Sequence, residues 1–461
     1  MQLTILGGGG FRVPLVYRAL LADTSENRVT QVRLYDTDER RLRAIAQVLA
    51  AMATGRSAAP EVVVTTELDQ ALAGADFVFS AIRVGGTAAR ALDEQVALRH
   101  QLIGQETTGV GGISYALRGL PVVVELAERI RAVCPQAWVI NFTNPAGLVT
   151  EVMRRTLGMR VVGICDSPVG LARRVLTTLE GAHLVAPGSA AGVGLGGSAV
   201  HVDYVGLNHL GWLRGLHVDG QDVLPELLAR PDLLGGFEEG RLFKAEWLQT
   251  LGAVPNEYLH YYYYQREALA AEAAAEATRG VYLQRQQAGF YTVAAELPPD
   301  EAHTLWEHTR ADREATYMAT NREAAGSFER DEADLVSGGY DQVALAIMHA
   351  IAHDDAAELI LNVANCGLLA ELDETAVVEV PCRVDARGVH PLPAAPLPGY
   401  ARGLVAQVKY VERCTMEAAL TGSRQAAVRA LAAHPLTDSV AVAADVLTDL
   451  QQTHPQLAYL R

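Results

Sequence analysis

Residues 137–167, AWVINFTNPAGLVTEVMRRTLGMRVVGICDS, contain two apolar, strand-like runs separated by a helical pattern, and both runs end in polar groups. Asn141 and Asn144 follow the first run, and Cys165 and Asp166 follow the second. Strands joined through a helix pair in parallel, and open α/β sheets carry their chemistry at the carboxyl ends of such strands. The stretch therefore predicts an α/β fold and marks its own strand tips as the site.

The amino-terminal third repeats this alternation. Leu3 to Leu6 is an apolar run followed by Gly7, Gly8, Gly9 and Gly10, and Pro14 opens a helical stretch through Leu21. Val32 to Tyr35 is a second strand ending in Asp36, and further strands are predicted at 62–65, 77–82, 138–142 and 161–164. Helical patterns at 40–52, 120–133 and 148–157 lie between several of them. The expected fold is a Rossmann-like, doubly wound parallel sheet over 1–170, in the architecture of lactate and malate dehydrogenases. A mixed α+β, mainly helical domain is expected over 171–461. Within it, 268–279 and 306–330 read as helices, 386–399 as a turn-rich surface excursion, and 187–199 as a Gly-, Ala- and Ser-rich connection.

A chain of 461 residues with half its residues hydrophobic builds more than one ordinary core. Its net charge of −16 excludes sequence-independent nucleic-acid binding, which needs clustered Lys and Arg against phosphates. Five cysteines, at 134, 165, 366, 382 and 414, are odd in number and widely spread, so no disulfide framework is predicted and a reducing cytoplasm is expected. The start shows no secretory signal pattern, and no run of about 18 apolar residues predicts a membrane span.

A strand, a glycine turn and a helix bring backbone N–H groups to a pyrophosphate, and an acidic residue after the second strand binds a ribose hydroxyl. Gly7, Gly8, Gly9 and Asp36 fit those roles, and the carboxylate favours NAD over NADP. The third glycine of the usual fingerprint falls at Arg12 and is absent, so a tight strand-to-helix turn without a nucleotide is the competing reading. Cys165 and His209 offer a thiolate and an imidazole, which suit a transition metal with positions left open. Each alone equally suits a packed residue. Tyr258, Tyr261 and Tyr262 at i, i+3 and i+4 fit a buried aromatic face, Arg90 and Arg279 fit solvated helix charges, and Asn141 and Asn144 fit helix caps.

Taken together, GGGGFRVP at 7–14, IRVGGTAARALDEQ at 82–95, GQETTGVGG at 104–112, NFTNPAG at 141–147, GICDSP at 163–168, GLNHLGW at 206–212, PNEYLHYYYY at 255–264 and VVEVPCRVD at 377–385 resemble, in order, the NAD- and metal-dependent glycoside hydrolases of family 4. Within the family the chain is most similar to 6-phospho-β-glucosidases, with 6-phospho-α-glucosidases as close relatives. The resemblance implies a divalent metal, usually Mn2+, on Cys165 and His209, a base at Tyr258, and substrate contacts at Arg90, Asn144 and Arg279, with Arg285 as the substitute for the last. Asp166 matches a proton donor of the α-specific members where several β-specific ones carry asparagine, which leaves the anomeric choice open. Many relatives have Ser and Thr where this chain has Phe11, Arg12 and Val13.

The implied reaction is transient oxidation of sugar C3 by NAD, removal of the C2 proton by Tyr258, elimination of the aglycone helped by Asp166, water addition, and re-reduction. The implied substrate is a small phosphorylated glycoside, and the implied assembly is a homodimer or homotetramer. A lactate- or malate-type dehydrogenase is the rival of another class and predicts net NADH without a metal requirement. A non-catalytic NAD or sugar-phosphate sensor is a second rival, and it has no use for Cys165, His209 and Tyr258 together.

Overall fold

The computed structural model describes residues 1–194, 199–330 and 339–461. Six strands, β1 (Gln2–Leu6), β2 (Gln31–Tyr35), β3 (Glu61–Thr65), β4 (Phe77–Ser80), β5 (Trp138–Asn141) and β6 (Val161–Gly163), pair in parallel in the order β3-β2-β1-β4-β5-β6. Their side chains alternate between two cores, one on each face. Leu3 and Ile5 of β1, Phe79 of β4 and Ile140 of β5 enter one, while Leu6, Val78 and Val139 enter the other. A sheet covered on both faces makes its strands nearly all apolar, which is why these runs are legible in the sequence. The strand order reverses between β1 and β4, which puts a crevice at the carboxyl edge.

The doubly wound sheet is as expected, and the carboxyl-terminal strands continue it. These strands are β7 (Val200–Leu207), β8 (Leu210–Val218), β9 (Gln221–Asp222), β10 (Val254–Pro255), β11 (Ala357–Ala364), β12 (Val377–Asp385) and β13 (Gly388–Pro391). Among the described residues they extend the sheet antiparallel from β6 through β11, β12, β7 and β8 to β10, giving 13 strands in all. One consequence is central to function. The hairpin β7–β8 turns through Asn208-His209 and carries that turn to the strand tips of the parallel half.

Several local expectations shift. The helix expected from residue 120 spans Gly109–Val133, because its glycine-rich first turn packs against the backbone of 105–107. A Cβ on Gly111 would lie 2.0 Å from the Gln105 carbonyl oxygen. That helix is long and apolar enough to cross a membrane, but 78% of its most apolar stretch is buried inside the protein. The alanine-rich run forms a helix over Gln265–Ala274, and a new one starts at Arg279, where the Thr278 side chain accepts the Val281 N–H. The charged stretch from 306 belongs to helices Pro299–Ala315 and Ala319–Ala324. The turn-rich 386–399 contributes β13 as a hairpin partner of β12. Of the 187–199 connection, residues 195–198 lie outside the described residues.

Candidate active site

A cavity of about 780 Å3 opens at the carboxyl edge of β1, β4, β5 and β6, within the size range of ligand and cofactor sites. The glycine turn forms one end. Gly7 adopts φ +84°, and a Cβ there would meet the Ala81 carbonyl oxygen at 2.5 Å, so only glycine fits. The Gly7 and Gly8 amides donate to the Tyr35 carbonyl, and the Gly9 amide donates to Asp36 Oδ2 at 3.0 Å. Asp36 therefore braces the turn as well as lining the cavity. From the carboxyl-terminal half, Tyr291 donates to the Gly9 carbonyl at 2.6 Å, Trp306 to Phe11 at 2.9 Å and Tyr340 to Arg12 at 2.9 Å. The Phe11 and Arg12 amides find no acceptor among the described residues and face the amino end of helix Val13–Ala22. Amides in that position suit an anion such as a pyrophosphate.

His209 sits in the β7–β8 turn at φ +62°. Its Nδ1 lies 2.8 Å from Thr107 Oγ1, and the Thr107 hydroxyl spends its single proton on Gln105 Oε1 at 2.9 Å. Nδ1 must therefore carry the hydrogen, which leaves the Nε2 lone pair free for a metal. Burial pulls the imidazole down to about 4, so it is neutral at pH 7. Cys165, just past β6, is buried, and its thiol is pushed up by burial and then by the nearby Glu379 and Asp166 carboxylates. Burial also holds the carboxyl groups of Glu379 and Glu257 up to about 7, and Glu257 Oε2 has no partner. Arg174 lies near Glu257 but is paired with Glu239, and Arg12 faces Asp166. Among the described residues no group of three or more His, Cys, Asp and Glu is arranged for a metal, and Cys165 and His209 both line the cavity.

The Tyr258 ring stacks on His209 with centroids 3.8 Å apart and planes 12° from parallel. It stands in a short turn, Glu257–Leu259, capped by Asn256, whose Oδ1 accepts the Tyr258 amide at 3.0 Å. Tyr261 and Tyr262 follow in the helix His260–Tyr263, and Tyr261 is buried. Asn141 is structural, since its Nδ2 reaches Thr143, Ala146 and Thr150. Asn144 lines the cavity. Asp166 makes no cap bond to the helix it precedes and lies 3.6 Å from Arg12 Nη1. Arg12, absent from the expected site, stacks over Phe142 and Tyr340.

Opposite lie arginines. Arg90 is buried between Glu94 at 2.8 Å and Glu106 at 2.7 Å, and Arg83 reaches Glu106 at 2.6 Å. Arg279 donates to Thr316 Oγ1 and to the Arg313 carbonyl, and neither Arg279 nor Arg313 has a carboxylate partner among the described residues. Burial, with repulsion from Arg90, lowers Arg279 to about 10, and burial, with repulsion from Arg12, lowers Arg313 to about 9. The carboxylates of this wall, Glu94 and Glu106, are taken up by Arg90 and Arg83. Arg285, the sequence alternative to Arg279, lines a separate, smaller depression with Gln95 and Leu98. The structure thus gathers Gly7, Asp36, Arg90, Asn144, Cys165, Asp166, His209, Tyr258 and Arg279 in one cavity. It adds Arg12, Glu106, Glu257, Arg313 and Tyr317 to the lining, with Thr107 bonded to His209 and Glu379 acting on Cys165. Of these, Arg12 falls inside GGGGFRVP, Glu106 and Thr107 inside GQETTGVGG, Glu257 inside PNEYLHYYYY and Glu379 inside VVEVPCRVD, and only the motifs pointed at them.

A doubly wound sheet whose switch point opens on a thiol, a neutral imidazole and a buried phenol defines an enzyme of the α/β class. Residues 2–180 match the family 4 glycosyl hydrolases and residues 204–437 match the family 4 glycosyl hydrolase C-terminal domain, so this chain belongs to glycoside hydrolase family 4. It is 30% identical to a Bacillus subtilis protein named probable 6-phospho-beta-glucosidase, across 100% of this chain and 97% of the relative. It is 29% identical to a 6-phospho-alpha-glucosidase of Leptotrichia buccalis, across 97% and 96%. The 6-phospho-beta glucosidase of Thermotoga maritima, solved with manganese, NAD+ and glucose-6-phosphate, superposes with a TM-score of 0.80 at 26% identity over the whole of both chains.

Proposed function

We propose that this chain hydrolyses 6-phosphoglucosides, the β-linked ones first, with NAD and Mn2+ as its resident groups. The observation that carries the reading is Tyr258 stacked on His209 in the cavity that also holds Cys165, which brings a base and a metal pair to one face of a sugar. When bound, NAD supplies reversible hydride removal at sugar C3, and the cation supplies a Lewis acid for the neighbouring oxygens.

The protein's own residues do the rest. Gly7, Gly8 and Gly9, with the Phe11 and Arg12 amides, cradle the pyrophosphate beside Asp36. The Cys165 sulfur and His209 Nε2 hold the cation. Arg279 and Arg313 take the substrate phosphate, and Asn144 and Arg90 orient the sugar. The Tyr258 oxygen removes the C2 proton, and the Asp166 carboxyl gives one to the leaving oxygen. A 6-phospho-α-glucosidase is the second reading, because Asp166 caps no helix and remains available as that acid.

We further place the dinucleotide in residues 1–170 and substrate, metal and oligomer contacts in 171–461, in a cytoplasmic homodimer or homotetramer. The free cysteines and the exposed Tyr410, Leu420 and Val440 support this. Light scattering is expected to give a dimer or tetramer mass, and a monomer mass overturns the assembly.

Nitrophenyl α- and β-glucosides, with and without 6-phosphate, assayed with NAD and Mn2+, test the function. Aglycone release from the phosphorylated β-glucoside without accumulating NADH is expected. Equal rates on unphosphorylated glucosides sink the phosphate reading, and NADH accumulation without aglycone release restores the dehydrogenase.

A further inference from the structure

Behind Tyr258 the structure holds a line of oxygens that the reaction above does not use. The Tyr317 hydroxyl lies 3.2 Å from the Tyr258 hydroxyl and 3.4 Å from Glu257 Oε1. Ser167 Oγ donates to the same Glu257 oxygen at 2.6 Å. Glu257 and Tyr258 are neighbours in one turn, so their side chains diverge, and Tyr317 reaches across from the connection between helices Pro299–Ala315 and Ala319–Ala324 to bridge them. Glu257 is 4% exposed and Tyr258 7%, and Tyr317 lines the same cavity with Arg330 over its ring. The separations are long for finished hydrogen bonds, as is common before a substrate closes a site.

A neutral phenol accepts a proton only as it gives up its own, and among the described residues the Tyr258 hydroxyl has the Tyr317 hydroxyl as its partner. We propose that Tyr317 and Glu257 form a proton relay behind Tyr258, so that the proton taken from sugar C2 ends on the Glu257 carboxylate. This rests on the elimination chemistry proposed above, in which NAD is the oxidant that supplies the C3 carbonyl. The C2–H bond breaks, and its electron pair stays on the sugar, drawn toward that carbonyl. The proton bonds to the Tyr258 oxygen as the Tyr258 proton passes to the Tyr317 oxygen and the Tyr317 proton passes to Glu257 Oε1. Both phenols end as they began, and Glu257 changes from carboxylate to acid. The path reverses to return a proton to C2 after water has added at C1. The relay shifts an existing negative charge and creates none in a pocket already crowded with carboxylates.

The test uses the full-length enzyme with NAD, Mn2+ and nitrophenyl 6-phospho-β-glucoside, unlabelled or deuterated at C2. For wild type in D2O, solvent deuterium is expected at C2 of the product, because the relay shares the abstracted proton with exchangeable sites. Tyr317→Phe removes only the hydroxyl. It is expected to lower kcat roughly 10²-fold with KM nearly unchanged, to enlarge the C2 isotope effect, and to leave substrate-derived hydrogen at C2 of the product. Glu257→Gln is expected to do the same and serves as the second variant. If both variants turn over with wild-type deuterium content and isotope effect, the relay is wrong while the elimination stands. Aglycone release by wild type with no deuterium at C2 overturns the elimination and the relay with it.

Discussion

The two walls of the cavity differ in the sign of the charge left without an ion-pair partner among the described residues. On one, Cys165 and Glu257, with Glu379 behind them, crowd together with carboxyl groups held near 7 and, among the described residues, one oxygen of each glutamate without a hydrogen-bond partner. On the other, Arg279 is pressed down by burial and Arg90, and Arg313 by burial and Arg12, and among the described residues neither has a carboxylate in ion-pair contact. Arg118, outside the lining, meets Asp93 at 2.6 Å, and Arg174 is paired with Glu239. A charge buried without its partner costs several kcal/mol, so unpaired charges that face a cavity mark where ligands can supply the missing charge. One wall fits a cation and the other an anion.

Removing the cation's ligands has the largest expected effect. Cys165→Ser combined with His209→Ala should abolish Mn2+-dependent turnover, beyond the roughly 10–100-fold that loss of an outer partner costs. Calorimetric titration with Mn2+ should show no saturable site. Mn2+-stimulated turnover at the wild-type level in this double variant would break the assignment of that wall.

The anion wall is tested by Arg313→Met. A charge-assisted hydrogen bond is worth about 1.5–3 kcal/mol, so KM for the phosphorylated glucoside should rise roughly 10–100-fold. The same change should raise the melting temperature of the ligand-free protein by a few degrees, since it removes an unpaired buried cation. Poorer binding together with higher stability separates a ligand-holding charge from a structural one. A drop in stability with unchanged KM would make Arg313 structural.

Thr107→Val sharpens the cation wall. The Thr107 oxygen accepts the His209 Nδ1 hydrogen and so keeps Nε2 free. Losing it should weaken Mn2+ about 10-fold while leaving NAD affinity unchanged. Equal losses in both would mean that the 105–107 loop has collapsed.

How far the sequence exposes these walls follows from how each is built. Asn144, Cys165 and Asp166 stand at the ends of buried parallel strands, whose unbroken apolar runs advertise their own tips. His209 stands at a hairpin in the antiparallel extension, where β11 and β12 are buried on both faces and carry no strand-helix alternation to announce them. It was reachable only through the family motif. The Arg313 and Tyr317 side chains come from a charged helix and the turn after it, whose composition reads as solvated surface. Their role depends on a helix folding back over the glycine turn, which no local pattern encodes. Arg12 broke the glycine fingerprint, and the structure accounts for it as a cation set against the stacked Phe142 and Tyr340 rings and facing Asp166.

The smallest expected effect, a few degrees of melting temperature, asks whether the cation wall is completed by metal. A carboxyl group raised to about 7, as at Glu257 and Glu379, favours the folded state below its ordinary 4.5 and forfeits that advantage as pH climbs through 7. His209, lowered to about 4, acts in the opposite sense: its contribution is whole above its ordinary 6.5 and is lost as pH falls toward 4. The two oppose each other between 4.5 and 6.5. Above 6.5 only the tail of the carboxylate loss remains, about 1 kcal/mol per group, so the metal-free protein should lose melting temperature from pH 6.5 to 8. A bound cation favours the ionised carboxylates and thiolate, so Mn2+ should raise the melting temperature more at pH 8 than at pH 5.5. Thermal scans with and without Mn2+ at those two values decide it. A shift of equal size at both means that the metal sits away from Cys165, Glu257 and Glu379, and the contrast between the walls then has another cause.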